Sequence, residues 1–351
     1  MVQSKKQFRR VLTWSLALLL GICFTGVADI ALAAEKPIVW RLQSVWATST
    51  GRHPALQKMC AMIKEKSNGQ LDIKLFGPGE IVGTMEVFDA VSNGVLDMAA
   101  SSGIYNSAKV PEGLVEFGLP FGLEDEADLN KFWYEYKDGE AFKLIQEAYR
   151  AKKIELLYNG AGTSYGYMTT FPVKSLDDFK GKKIRSFGFF GSLVQMLGGA
   201  PVSLPNEDQY LALQQGTVDG TIFPYLALNT MKFKEVAKHI VLPPVLGAPT
   251  ADIFVSAKAW SQLNPELQAI VREGAVLQNK WYMDNEGPQE KELVANPDKH
   301  GIQVHTLSAE DVAKLKEMGT RIWDGVAKRS PTNAKVVELL KAYNAEKVAA
   351  K

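Results

Sequence analysis

The 351-residue chain carries 40 Lys and Arg against 39 Asp and Glu, with 46% hydrophobic residues. That balance excludes a broad electrostatic pull toward nucleic acid or an anionic membrane, and the length suits about two domains. Cys23 lies in an N-terminal apolar segment and Cys60 beyond it, so a disulfide framework is also excluded.

The first 33 residues read as a secretory signal. Lys5, Lys6, Arg9 and Arg10 form a basic start, Val11 to Ile22 is mostly apolar, and Ala31-Leu32-Ala33 supplies a small-residue cleavage site. The apolar run falls short of the ~20 residues of a membrane span. Cleavage after Ala33 removes four cations and one Asp, leaving 318 residues with a formal charge of −2. Cys60 is then alone, so stability rests on ordinary cores in an oxidising compartment.

Ile38–Ser44 reads as a strand, rich in β-branched and aromatic residues. A polar loop, Val45 to Gly51, leads to a helix with Leu56, Met59 and Ile63 on one face, ending at Ser67-Asn68-Gly69. Leu71–Phe76 alternates as a second strand, Thr84 is the expected cap of a helix carrying Met85, Phe88 and Val91, and Val95–Ala100 is a short buried strand. Strands alternating with helices of this length predict a parallel α/β sheet. Helices are expected over Asp128–Tyr149 and a strand over Ile154–Tyr158. A glycine-rich loop, Asn159–Tyr167, then precedes an extended Met168–Val173. Ser175 and Asp178 form a capping box. A strand ending at Arg185, a helix from near Ser192 to Gly198-Gly199, and a strand over Val218–Phe223 follow. The remaining elements are strands Ile240–Leu246 and Ile253–Ser256, a long helix from Pro265 to Asp284, a helix capped by Ser308 with Asp311, and a helical tail from Ala334.

Two stretches echo each other. Ala90–Tyr105 and Ala212–Leu228 share the frame A-x-x-x-G-x-x-D, each at the end of a helix that enters a strand. Ligands of open α/β sheets sit beyond the carboxyl ends of strands. Ser101, Ser102 and Tyr105 after one echo, and Phe223 and Tyr225 after the other, are therefore expected to face a shared cleft.

Arg185 is the strongest candidate for chemistry in that cleft. A guanidinium presents a planar fork of donors matching a carboxylate and stays charged at any relevant pH. Trp46, Tyr105, Tyr165, Phe187 and Phe223 are the aromatics expected around it, as apolar walls to a few polar groups. Gly162-Thr163-Ser164-Tyr165-Gly166 matches G-x-S-x-G, which would make Ser164 the nucleophile of a secreted hydrolase. That motif needs a helix directly after the serine, and a β-rich Met168-Thr169-Thr170 stands nearby instead. Metal-ligand spacings of His and Cys, a P-loop and G-x-G-x-x-G are missing from the sequence.

The mature chain resembles the extracytoplasmic solute receptors of tripartite ATP-independent periplasmic (TRAP) transporters, of the dicarboxylate-binding type. The resemblance is carried by Lys180-Gly181-Lys182-Lys183-Ile184-Arg185, Gly199-Ala200-Pro201-Val202, Leu213-Gln214-Gln215-Gly216, Val218-Asp219-Gly220 with Pro224, and Met231-Lys232-Phe233 with Glu235-Val236. It implies an α/β periplasmic-binding-protein fold of two lobes, joined by hinge strands and a long helix crossing both. Residues 34–158 with about 246–285 would form lobe I, and 159–245 with about 286–351 lobe II. It implies that Arg185 binds a ligand carboxylate in the interlobe cleft. A periplasmic monomer would hand the ligand to a small and a large membrane subunit. A receptor signalling to a membrane kinase would share this sequence pattern, and no enzymatic activity is expected.

The chain departs from that pattern at the site. Phe223 falls where the family has a ligand-binding asparagine, and Tyr165 where some members place a second arginine. Receptors that hold a metal ion with a 2-oxo acid use a Glu-Trp pair where Ile222-Phe223 stands, so neither metal nor cofactor is expected. The expected ligand is a small monoanion: a 2-oxo or 2-hydroxy monocarboxylate, an aromatic acid or a small sulfonate.

Overall fold

The computed structural model describes residues 36–349; the signal segment expected at 1–33 lies outside them. The strands, in chain order, are β1 (Ile38–Ser44), β2 (Leu71–Phe76), β3 (Met98–Ser101), β4 (Ile154–Ala161), β5 (Tyr165–Thr169), β6 (Lys183–Arg185), β7 (Ala200–Val202), β8 (Gly220–Pro224), β9 (His239–Leu242), β10 (Thr250–Ser256) and β11 (Gln303–Thr306). The longer helices are α1 (Arg52–Lys66), α2 (Val87–Ser92), α3 (Glu140–Arg150), α4 (Phe189–Met196), α5 (Gln209–Gln214), α6 (Pro265–Ala295), α7 (Ala309–Ala327) and α8 (Pro331–Ala349).

These strands form two sheets, ordered β2-β1-β3-β10-β4 and β11-β9-β5-β8-β6-β7. The first is parallel except for β10, which runs against both β3 and β4. The second is parallel except for β5, which runs against both β8 and β9. Each odd strand is the one that has just arrived from the other sheet: β5 follows β4 across 162–164, and β10 follows β9 across 243–249. Every residue of β4 and β10 is buried, as expected for strands covered on both faces.

The sequence echo is a repeated corner. Gly94 and Gly216 both turn the chain with positive φ, +74° and +69°, a region that favours glycine. In each corner the next two N–H groups return to one carbonyl, Val95 and Leu96 to Ala90, and Thr217 and Val218 to Ala212. The matched aspartates then bind a neighbouring strand: Asp97 accepts the Arg41 N–H and Asp219 the Lys183 N–H, each at 2.8 Å. One corner feeds β3 in the first sheet, the other β8 in the second.

Several local expectations are corrected. Thr84 caps nothing: its hydroxyl is buried without a partner, and the Glu86 carboxylate closes the turn on the Gly83 N–H at 3.1 Å. Most of the expected loop Asn159–Tyr167 is strand, the end of β4 and the start of β5. Its glycines answer to crowding as well as to turning. A Cβ at Gly166 would lie 1.9 Å from the Tyr225 hydroxyl, and one at Gly160 2.2 Å from the Asn279 side chain. The strand after Val236 stops at Leu242, because Pro243 has no N–H for the ladder. The capping contacts of Ser175 and Ser308 form as expected: Asp178 accepts the Ser175 N–H at 2.9 Å, and Ser308 accepts the Asp311 N–H at 3.1 Å.

The long helix α6 runs 31 residues, on to Ala295. It grips the β4–β5 crossing twice: Tyr282 shares a 3.3 Å hydrogen bond with Thr163, and Glu290 accepts the Ser164 N–H at 2.9 Å. Burial pushes the Glu290 carboxyl up to about 7. The C-terminal helices pack on each other and also reach different neighbours. α7 packs on α4, whereas α8 packs on α3 and on the turn Gly113–Phe117. Asn333 donates to the Pro111 carbonyl, and Tyr343 to Asp128 at 2.6 Å. The span 286–351 therefore does not stay with the second sheet alone.

Candidate functional site

A small cavity of about 50 Å³ opens where the two crossings meet the ends of β1 and β8. Gly162 and Thr163 come from one crossing, and Pro249 and Thr250 from the start of β10 and the residue before it. The aromatic walls are Trp46, Tyr165, Phe223 and Tyr282; the polar groups include Arg52, Asn206 and Glu286. This is the setting expected of a small-ligand site: apolar walls, a few convergent polar groups, strand ends.

Arg185 ends β6, 2% exposed, one shell behind the cavity wall. Its Nε donates to the Leu204 carbonyl at 3.2 Å, and its Nη2 donates to Asn206 Oδ1 at 2.9 Å. Aromatic faces cover it, with Phe187 at 4.4 Å and Phe223 at 5.3 Å from the guanidinium carbon. No carboxylate pairs with it among the described residues. Burial pulls its pKa down, while the Tyr105 and Tyr165 hydroxyls beside it act in the opposite sense. Asn206 is the link to the cavity. Its Oδ1 also accepts from the Tyr105 hydroxyl at 2.8 Å, and its Nδ2 is buried with no partner.

The expected site residues thus separate into groups. Trp46, Tyr165 and Phe223 line the cavity. Arg185 and Tyr105 meet at Asn206, and Phe187 packs edge-on to Tyr105 at 5.5 Å. Ser101 is fully enclosed in β3, its hydroxyl without a partner and off the cavity wall. Ser102 donates to the Thr250 carbonyl. Tyr225 lies past the end of β8, and its hydroxyl donates to the Val241 carbonyl, away from the cavity. Ser164 lacks the surroundings of a nucleophile. Strand β5 begins at the next residue, where a nucleophile elbow has a helix, and the serine lies against Glu290 rather than in this cavity.

Arg52, Asn206, Tyr282 and Glu286 were not anticipated. Arg52 is the first residue of α1, where the helix dipole disfavours a cation; that placement is its only mark in the sequence, and its burial appears only in the fold. Asn206 and Tyr282 left no comparable mark.

Residues 42–330 match the model of the bacterial extracellular solute-binding protein, family 7. The chain belongs to this family. A C4-dicarboxylate-binding periplasmic protein of Rhodobacter capsulatus is 27% identical, over 94% of this chain and 98% of its own. A monocarboxylate 2-oxoacid-binding periplasmic protein of Nostoc sp. is 26% identical, over 87% and 83%. Among solved structures, a TRAP periplasmic solute-binding protein from Pseudoalteromonas atlantica with bound sodium and pyruvate superposes with a TM-score of 0.79. It is 23% identical and covers 90% of this chain and 96% of its own. A TRAP transporter solute-binding protein from Bordetella bronchiseptica, with calcium and picolinate, gives 0.80 at 23% identity over 89% and 93%. The chain is a bacterial extracellular solute-binding protein of family 7, and the solved TRAP solute-binding proteins share its fold. Among the described residues no helix is long and apolar enough to cross a membrane.

Proposed function

We propose that this receptor captures a small organic acid in the periplasm and delivers it, as a monomer, to the two membrane subunits of a TRAP transporter. The carrying observation is Asn206 Oδ1, which accepts from Arg185 and from Tyr105 at once. A ligand carboxylate oxygen would take the place of that amide oxygen, with Arg185 supplying a charge-assisted bond in a dry, aromatic-walled cavity. The lobes would then be residues 38–161 with β10 and α8, and residues 165–242 with β11 and α7, α6 running along both. Closure by rotation about the two crossings is the expected motion.

The residues present do not fit the metal of some relatives. Strand β8 offers buried Ile222 and Phe223 where an oxygen donor is needed, so the proposed binding is independent of metal. Catalysis has no support in the surroundings of Ser164, and nothing in the cavity favours a hydrolase.

A thermal-shift screen of small carboxylates and sulfonates, followed by calorimetry, tests the proposal. A ligand that binds only the folded state raises the melting temperature by mass action. Micromolar or tighter binding of at least one acid is expected. No shift with any acid, set against one with neutral sugars or amines, would overturn it.

A further inference from the structure

Arg52 is placed as a ligand-reading group rather than a structural cation. It is 6% exposed and lies on the cavity wall, donating from Nη2 to the Ala161 carbonyl at 3.1 Å. Its guanidinium carbon stands 3.9 Å from the ring centre of Tyr282 and 5.3 Å from that of Trp46. Two aromatic faces cover its planes and leave its edge, with the remaining N–H groups, as the part able to bond. Elsewhere in the molecule a half-buried guanidinium finds a carboxylate: Arg150 and Arg272 both meet Glu155 at 2.9 Å. Arg52 has no such pair among the described residues; Glu286 and Asp252 flank it beyond ion-pair distance. It also stands where the α1 dipole opposes it. A buried, unpaired cation held flat at an unfavourable helix end, facing a cavity, is poised for an acceptor that arrives from outside.

A second observation places it relative to Arg185. Both guanidiniums lie near enough to the Tyr165 hydroxyl to act on it, and Tyr165 is on the cavity wall. Tyr165 is therefore under the influence of a cation from the first-sheet side and one from the second. The positive charge that the sequence lacks at position 165 is supplied from α1 instead.

Resting on the receptor reading above, we infer that Arg52 binds the ligand's second oxygen acceptor while Arg185 holds its carboxylate. The site thereby selects acids bearing a 2-oxo, 2-hydroxy or second carboxylate group over bare monocarboxylates. Bridging the two cations also ties the two halves of the cleft through the ligand. Aromatic or alkyl acids without a second acceptor leave Arg52 buried and unpaired, and pay for it in affinity.

Calorimetry on the mature chain with propionate, pyruvate, lactate and malonate reads this selectivity. Wild type is expected to prefer at least one of the oxygenated acids over propionate. In Arg52→Gln that preference should fall on the order of 10- to 100-fold, the oxygenated acid binding more weakly and propionate as well as before or more tightly. Arg52→Lys, which keeps the charge but not the fork, should fall between, and it serves if the glutamine variant does not fold. A merely structural arginine would lower stability and weaken all four acids alike, leaving their ratios unmoved, and that result overturns the role of Arg52 alone. Wild type preferring propionate would do the same. Retention of none of these acids, nor of any other carboxylate or sulfonate, overturns the receptor reading with it.

Discussion

Asp252 offers a prediction whose size follows from its surroundings. It lies in the middle of β10, 1% exposed, and its Oδ2 accepts from Tyr149 at 3.2 Å and from Asn106 at 3.3 Å. Its Oδ1 has no partner, and Glu116 is buried close by. Burial pushes the Asp252 carboxyl up from 3.8 to about 7 against the opposing pull of Arg52. The folded chain thus holds a proton that the unfolded chain releases above pH 4. Stability from this group is full below about pH 4 and declines as pH rises toward 7, after which the loss is constant. Shared with the buried Glu116 carboxyl, a shift in this direction is worth on the order of a few kcal/mol. Asp252→Asn keeps an acceptor for Tyr149 and Asn106 and has no such proton to lose. Its stability relative to wild type should therefore rise, by on the order of a few kcal/mol, between pH 4.5 and 7.5. Urea unfolding at a series of pH values measures the difference directly. A wild-type-to-mutant difference that stays flat across that range would refute the reasoning.

Two further outcomes are expected. Asn206→Ala removes the amide oxygen that occupies Arg185, so affinity for the acid should rise about 3- to 10-fold by calorimetry; a fall would mean that Asn206 holds the ligand through its free Nδ2 instead. Gly216→Ala should lower stability by ~1 kcal/mol, and Gly94→Ala by the same amount, in thermal unfolding. Nothing lies within 4 Å of a Cβ at either position, so the cost is the positive φ alone, and an unchanged melting temperature would contradict it.

The parts of the fold that were legible in the sequence are those where one local signal dominates. Strands β1 and β2 and the helix face of Leu56, Met59 and Ile63 follow from β-branched runs and helical spacing. The echo was legible because a positive-φ glycine and an aspartate bonding to a strand N–H are each fixed by backbone geometry. The crossing at 159–167 was not, because glycine serves both turns and close approach, and only the packed Tyr225 and Asn279 decide between them. Arg52 and Arg185 differ in the same way. Arg185 closes a strand inside a recognisable motif, whereas Arg52 acquires its role from Trp46, six residues earlier, and Tyr282, 230 residues later. The single-charge expectation drawn from Tyr165 omitted a cation that reaches the cavity from another element.

The most direct test of the whole account is calorimetry of Arg185→Met beside wild type, using the acid that wild type binds best. Losing the guanidinium leaves the bound carboxylate buried and unpaired, at a cost of ~2–5 kcal/mol, or a loss in affinity of roughly 30- to several thousand-fold. That loss, in a variant that still unfolds cooperatively, is the predicted result. Affinity within a factor of two of wild type would contradict the central claim that Arg185 holds the anion.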